Sequence, residues 1–497
     1  MSKKITILKN SGALGISTVI GKLFYFILFL CIGRSLGPEE LGKFAFAVSF
    51  IALFCAGNDL GLSIRSVKEV SQNKGLAEKF LSNLVTMKLV LGCLTLALVI
   101  AVATILGYSQ ESVRLVFLIG LSTLFIVISQ GMRWYFQAIQ KLEYESLIFI
   151  SQNFLYLILG YLAIKLGLGI RGVAYTQVLV GVLVLALTWI IVRNKLIPFN
   201  FKFDFAFWRQ QLKSSIPLGL MLIFTGIYLN SDTVILSVFK GDKAVGFYNA
   251  ANRIAGAAKM LPIVIIPSIF PVMSEITDWS KFRKLMEKAV HYSLALALPF
   301  GLMVAILSKK IMLTFYGEEF LASTLPLQIL IWSTVLVFFN SLFGYALIAK
   351  GQQKANTMVV GTGVLVSLVL NFLLAPQFSY VGTSSSIFCT ELFVFSGAYF
   401  LAHRRLGINL WPMRKQLLKI MLCAFAMGIG VYLMQLWNIG LPAIILLGGL
   451  IYIFLIMRTD AILAQDWTDF KHGFTGSSFA QRRLLPLVGS LLRGVKR

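Results

Sequence analysis

The sequence predicts an all-α, polytopic membrane protein: about 14 transmembrane helices in two pseudo-symmetric six-helix lobes, with two further helices near the C-terminal end. Three observations carry this: the composition, the spacing of apolar runs, and an internal repeat. Of the 497 residues, 58% are hydrophobic and only 13% charged, and the mean hydropathy is +0.83. A soluble domain carries about a quarter charged residues. Here the apolar excess is gathered into runs of about 20 residues, the length that crosses a hydrocarbon core as a helix. Open sheets would leave backbone groups unbonded in lipid.

In chain order the runs lie near 11–33, 43–62, 82–106, 113–137, 144–166, 172–192, 214–238, 245–272, 288–307, 323–348, 355–375, 381–402, 416–437 and 440–457. Three lysines precede the first run and no small-residue cleavage site follows it, so it is expected to remain as a helix. In a soluble protein a net charge of +25 would suggest nucleic acid; here the bases sit in loops. With the N-terminus placed inside, roughly 31 Lys and Arg fall on the inner side and roughly 9 on the outer, as the positive-inside rule requires. Both termini are therefore expected in the cytoplasm.

The repeat appears at an offset of 204 residues. Leu8-Lys9-Asn10-Ser11 and Leu14-Gly15 match Leu212-Lys213-Ser214-Ser215 and Leu218-Gly219. Gly37, Leu41-Gly42-Lys43-Phe44 and Ala47 match Gly241, Val245-Gly246-Phe247-Tyr248 and Ala251 at the same offset. Six runs intervene, so both halves enter the membrane from one side. Such repeats build transporters that alternate access around a site between lobes. The expected division is 1–210 and 211–410 for the lobes, 411–458 for the last two helices, and 459–497 for a basic cytoplasmic tail. From Phe479 that tail has apolar residues at helical spacing among arginines, which suits either a helix on an anionic leaflet or a merely solvated end.

Charged groups inside a bilayer usually face a cavity or a partner. Lys22 shares a helical stripe with Ser11, Gly15 and Thr18, a small, polar face fit to line an aqueous cleft; snorkelling to the interface is the alternative. Arg253 stripes with Asn249, and Lys259 with Asn252 and Gly256. Asp232 and Glu391 are candidates for ion coupling, or for pairing with a buried base. Asp59, Arg65 and Arg133 are peripheral candidates, more simply read as solvated interfacial anchors. Pro262, Pro267 and Pro271 mark a bend or hinge in the eighth run. The central charges are mostly basic, which favours an anionic substrate. Five cysteines lie inside runs with no metal-ligand spacing, so packing explains them and neither metal nor cofactor is expected.

Ser231-Asp232-Thr233-Val234-Ile235-Leu236, the stretch Ala244 to Arg253, Phe270-Pro271-Val272-Met273-Ser274 and the early Leu36-Gly37-Pro38-Glu39-Glu40-Leu41-Gly42 together resemble the polysaccharide biosynthesis (Wzx-type) flippases. These belong to the multidrug/oligosaccharidyl-lipid/polysaccharide exporter superfamily. The resemblance implies a bacterial inner-membrane flippase that moves an undecaprenyl-diphosphate-linked glycan, such as an O-antigen repeat unit, to the outer leaflet. It also implies coupling to H+ or Na+, work alongside other polysaccharide-assembly membrane proteins, and a cationic cleft to which Lys22 and Arg253 contribute. A lipid II flippase and a multidrug or cation extruder are the alternatives within the superfamily. An O-antigen polymerase or ligase would need catalytic groups on a sizeable outer loop, and the outer loops are short. No nucleophile–base set or phosphate-binding glycine loop appears, so an enzyme is not expected.

Overall fold

A computed structural model describes residues 3–195, 200–437 and 439–459; the expected amphipathic tail segment lies outside the described residues. Thirteen α-helices follow in order: α1 (Lys3–Asp59), α2 (Leu62–Gln72), α3 (Ala77–Ile105), α4 (Gln110–Ala138), α5 (Leu142–Lys165), α6 (Gly169–Lys195), α7 (Phe205–Ala258), α8 (Met260–Glu275), α9 (Trp279–Phe315), α10 (Thr324–Ala349), α11 (Gln353–Leu406), α12 (Arg414–Leu436) and α13 (Leu441–Arg458). No strand occurs among the described residues. Local chemistry sets several boundaries. The Asp204 carboxylate accepts from the Phe207 amide at 2.9 Å and caps α7, and Ser109 caps α4 through the Ser112 amide.

Eleven stretches among the described residues are long and apolar enough to cross a membrane. Three of them are far too long for one crossing. The 57 residues of α1 would extend about 85 Å as a straight rod. Each of the three contains a residue that leaves helical space: Gly37 (φ 82°, ψ 178°) in α1, Gly241 (φ 72°, ψ −175°) in α7 and Ser379 (φ 54°, ψ −138°) in α11. Each bend splits its stretch into two helical arms. Gly37 and Gly241 stand at the repeat offset, and their backbone needs a residue without a Cβ penalty at positive φ.

By contacts the chain forms two compact units. The larger holds Met1–Ile265, Ser308–Asn340 and Gln352–Ala398. Within it the two bends meet reciprocally: a Cβ on Gly42 would overlap the Asp242 carbonyl, and one on Gly246 would overlap the Pro38 carbonyl. Pro38 and Asp242, like Gly42 and Gly246, are repeat mates, so the contact is symmetric. The smaller unit holds Ile266–Leu307, Ser341–Gly351 and Tyr399–Arg497. In it Tyr452 donates to the Ala295 carbonyl at 2.7 Å, and Lys350 lies over the Phe282 ring at 4.3 Å.

The eighth run is interrupted at Lys259, where α7 ends and α8 begins, one turn before Pro262, which has no N–H to donate back to the Ala258 carbonyl. Pro267 and Pro271 lie inside helical α8.

Candidate functional site

On α1, Gly15, Thr18, Lys22, Tyr25 and Phe29 recur at spacings of three and four and form one face. Arg253, from the second arm of α7, lies on this face. Its guanidinium carbon is 3.9 Å from the Phe29 ring centroid and 5.9 Å from that of Tyr25. Phe29 is itself fully buried and packs against the Phe44 ring at 5.3 Å. A cation over an aromatic face gains about 0.5–2 kcal/mol, depending on desolvation. No carboxylate comes within ion-pair distance of Arg253 among the described residues. The stack therefore fixes the guanidinium while leaving its donors free for a ligand.

Lys22 is exposed, one turn from Tyr25 on the same face, and makes no ion pair among the described residues. Gly15 on that face and Gly256, three residues from Arg253, each meet open space: a Cβ there would find no atom within 4 Å. Lys259 follows at the helix interruption, where its amide donates to the Ala255 carbonyl at 3.1 Å. Asn249, expected to share the Arg253 stripe, is buried and bonds Thr233 at 3.2 Å instead. Its polarity joins the two arms of α7 rather than lining a cavity.

The two acids are deeply buried and coordinated by neutral donors. Asp232 is 7% exposed and accepts from the Tyr248 hydroxyl at 3.1 Å and the Asn371 amide at 3.2 Å. Lys259 acts on it only from beyond ion-pair distance. Glu391 is 6% exposed and accepts from Tyr228 at 2.9 Å and Asn340 at 2.6 Å, which ties α7, α10 and α11 together. Pairing with a buried base, the simpler expectation for Asp232 and one of two open ones for Glu391, is not what holds them among the described residues. Beside Asp232, the Asn371 carbonyl oxygen is buried without a hydrogen bond, as is the Thr390 hydroxyl.

The peripheral candidates separate. Asp59 is paired: Lys88 lies 2.5 Å from it and also donates to Ser63 at 2.8 Å. Lys88 is 1% exposed and escaped the sequence reading, although a lone base inside the third apolar run was its signal. Arg65 reaches Glu69 at 3.4 Å within one helix, as a solvated anchor would. Arg133 is no such anchor, for it is 6% exposed. Hydropathy does not distinguish a helix end in water from one packed under neighbouring helices. No group of three or more metal-ligating side chains occurs among the described residues.

Comparison with known proteins adds the following. A family model described as "Polysaccharide biosynthesis protein" matches residues 7–277, and the MatE model matches residues 217–373. Over 391 residues the chain is 25% identical to a putative O-antigen transporter of Shigella dysenteriae, covering 75% of this chain and 94% of that one. It is 20% identical over 406 residues to the capsular polysaccharide biosynthesis protein CapF of Staphylococcus aureus, covering 80% and 99%. Among solved structures, the lipid II flippase MurJ in an inward closed conformation superposes with a TM-score of 0.75 at 16% identity, over 90% of this chain and 99% of that one. An inward-facing multidrug resistance transporter of the MATE family gives 0.62 at 16% identity, over 78% and 94%. At such identities the structural likeness is one of fold.

Proposed function

The chain belongs to the polysaccharide biosynthesis protein family, and from that premise we propose that it is a flippase for undecaprenyl-diphosphate-linked oligosaccharide, such as an O-antigen repeat unit. The observation that carries the reading is Arg253: a guanidinium laid on Phe29, with open space at Gly256 and no carboxylate partner among the described residues. A planar fork of N–H donors matches phosphate oxygens bidentately, and holding it in place before binding reduces the ordering cost. Lys22 and Lys259 add positive charge on either side. In this reading the diphosphate docks on these bases while lipid and glycan extend away, and transport alternates between 1–210 and 211–410.

In this reading the arms at Gly37, Gly241 and Ser379 cross the membrane separately, for fourteen crossings in all, and both ends lie in the cytoplasm; the bends support the separate crossings. The last two crossings, 411–458, are appended to the lobes. Asp232 and Glu391 are the coupling groups, binding H+ or Na+ and releasing it as the lobes rock. Their neutral donors support this role, since a carboxylate already neutralised by a base would have no reason to take up a cation.

The test is transport of lipid-linked oligosaccharide by Arg253→Gln and Lys22→Gln variants present in the membrane at normal level. The reading expects at least a tenfold loss for Arg253→Gln and a smaller loss for Lys22→Gln; full activity of Arg253→Gln would remove this site from the mechanism. A second reading, a cation or drug extruder, is favoured by the MatE match and by the two buried acids. It requires Asp232→Asn to abolish efflux of a cationic drug while Arg253→Gln spares it.

A further inference from the structure

Beside the bends at Gly37 and Gly241 the larger unit has an open cavity of about 440 Å3, whose lining includes Pro38, Glu39, Lys243, Phe247 and Glu319. That volume lies in the range of small-molecule sites, about 300–1,000 Å3. Both copies of the repeat contribute to it. Pro38 of the first meets Gly246 of the second through its carbonyl, and Lys243 and Phe247 flank Gly246 in the chain.

The charges around the cavity are mixed and largely uncommitted. The Glu319 carboxylate lies over the Gly37 bend, where a Cβ would come within 2.8 Å of its Oε2. The side chains of Glu319 and Lys243 make no ion pair among the described residues. Glu39 reaches Lys43 at 3.5 Å, with most of its side chain exposed. The half-buried Phe247 ring supplies an apolar wall and makes edge contacts with Phe320 and Tyr380.

This lining narrows the ligand. A cation would meet the Lys243 ammonium, and a phosphate would meet two carboxylates. An apolar molecule would cover three charges without bonding them. A neutral, hydroxyl-rich molecule satisfies every group. Its hydroxyls donate to Glu39 and Glu319 and accept from Lys243, and its C–H face lies on the Phe247 ring.

We propose that this cavity is a saccharide-binding site, distinct from the Arg253 platform, with Glu319 and Phe247 as its principal contacts. In the reading given above the bends lie on the outer side, where a translocated glycan emerges. The choice of sugar rests on that reading; the cavity's chemistry does not.

The experiment uses the full-length purified protein in lauryl dimethylamine oxide, a detergent without a sugar head group. The probe is the free repeat-unit oligosaccharide, released by mild acid from the lipid-linked material of the cells that make the protein. Saturation-transfer NMR follows its ring protons during titration. The expected result is saturable transfer, with a Kd raised about tenfold in Glu319→Ala and roughly two- to tenfold in Phe247→Leu. Glu143→Ala, an exposed acid on α5 outside the cavity, should leave the Kd unchanged. No transfer, or a Kd that neither cavity substitution alters, would overturn the site. Because binding is measured without transport, the two ideas fail separately: full transport by Arg253→Gln would sink the flippase site while leaving this one standing.

Discussion

At Gly37 and Gly241 the chain turns with nearly the same dihedral angles, and each turn places a carbonyl against a glycine of the other copy. Six residues beyond each bend the two copies part. The first has Lys43, which reaches Glu40 at 2.8 Å, Glu111 at 2.9 Å and Glu39 at 3.5 Å; Glu111 is also held by Arg171 at 2.9 Å. The second has Phe247, set between the rings of Phe320 and Tyr380 at 6.1 and 5.4 Å. The interior differs as well. Asp232 stands where the first copy has the fully buried Leu28, and Arg253 where it has Ser49. Lys22 has Gly226 as its mate, and Gly15, open to space, has Gly219, which is packed against Leu60. The duplication thus shares a backbone clasp and divides the chemistry. One copy supplies the stripe that bears Lys22 and a charged elbow; the other supplies the guanidinium and a buried acid.

Substitutions sharpen this contrast, the largest effect coming at the Asp59–Lys88 pair of the first copy. Asp59→Ala leaves the fully buried Lys88 ammonium without its carboxylate and should cost about 3–5 kcal/mol, measured by unfolding of the purified protein. Replacing both partners together, Lys88→Met with Asp59→Leu, should recover most of that loss. The clasp comes next. Gly42→Leu and Gly246→Leu each drive a side chain into a backbone carbonyl, at about 2–3 kcal/mol apiece. Because the contact is reciprocal, the double variant should cost clearly less than the sum; strict additivity would mean that the two glycines do not share one contact.

At the elbows the copies should respond differently to salt. Lys43→Met removes the cation from three carboxylates and should destabilise by about 1–2 kcal/mol at low ionic strength, less at 1 M salt. Phe247→Leu should cost about 1 kcal/mol, with no dependence on salt beyond that of the parent protein. The smallest effects belong to the open glycines. Gly15→Ala and Gly256→Ala should stay within about 0.5 kcal/mol of the parent, whereas Gly219→Ala presses on Leu60 and should exceed that.

How far the sequence reaches follows the same division. Apolar runs, short loops and the 204-residue offset predicted the helical fold, and both bend glycines were among the matched residues. Local patterns carry that information, and a bend at positive φ leaves a glycine behind. The platform under Arg253 was not legible, because Tyr25 and Phe29 are more than 200 residues away and look like ordinary span residues. Lys88 did leave a signal, a lone base inside the third apolar run, but its pairing with Asp59 on another helix was not legible. Asp232 and Glu391 stood out as buried acids, but a one-dimensional pattern could not show that tyrosines and asparagines, not bases, hold them. Arg133 was misread because its position near the end of a run suggests water, whereas α4 buries it.

The central claim is that this chain carries a lipid-linked glycan outward on a cationic site. The most direct measurement is the sidedness of lipid-linked oligosaccharide in cells depleted of the protein, read with an impermeant glycan-modifying reagent on spheroplasts. Cells rescued by the parent chain are compared with cells rescued by Arg253→Gln. The account predicts accumulation of material shielded from the reagent on depletion, cleared by the parent chain and not by Arg253→Gln. Accumulation of unpolymerised units that the reagent does modify would contradict it and move the protein to a step after translocation.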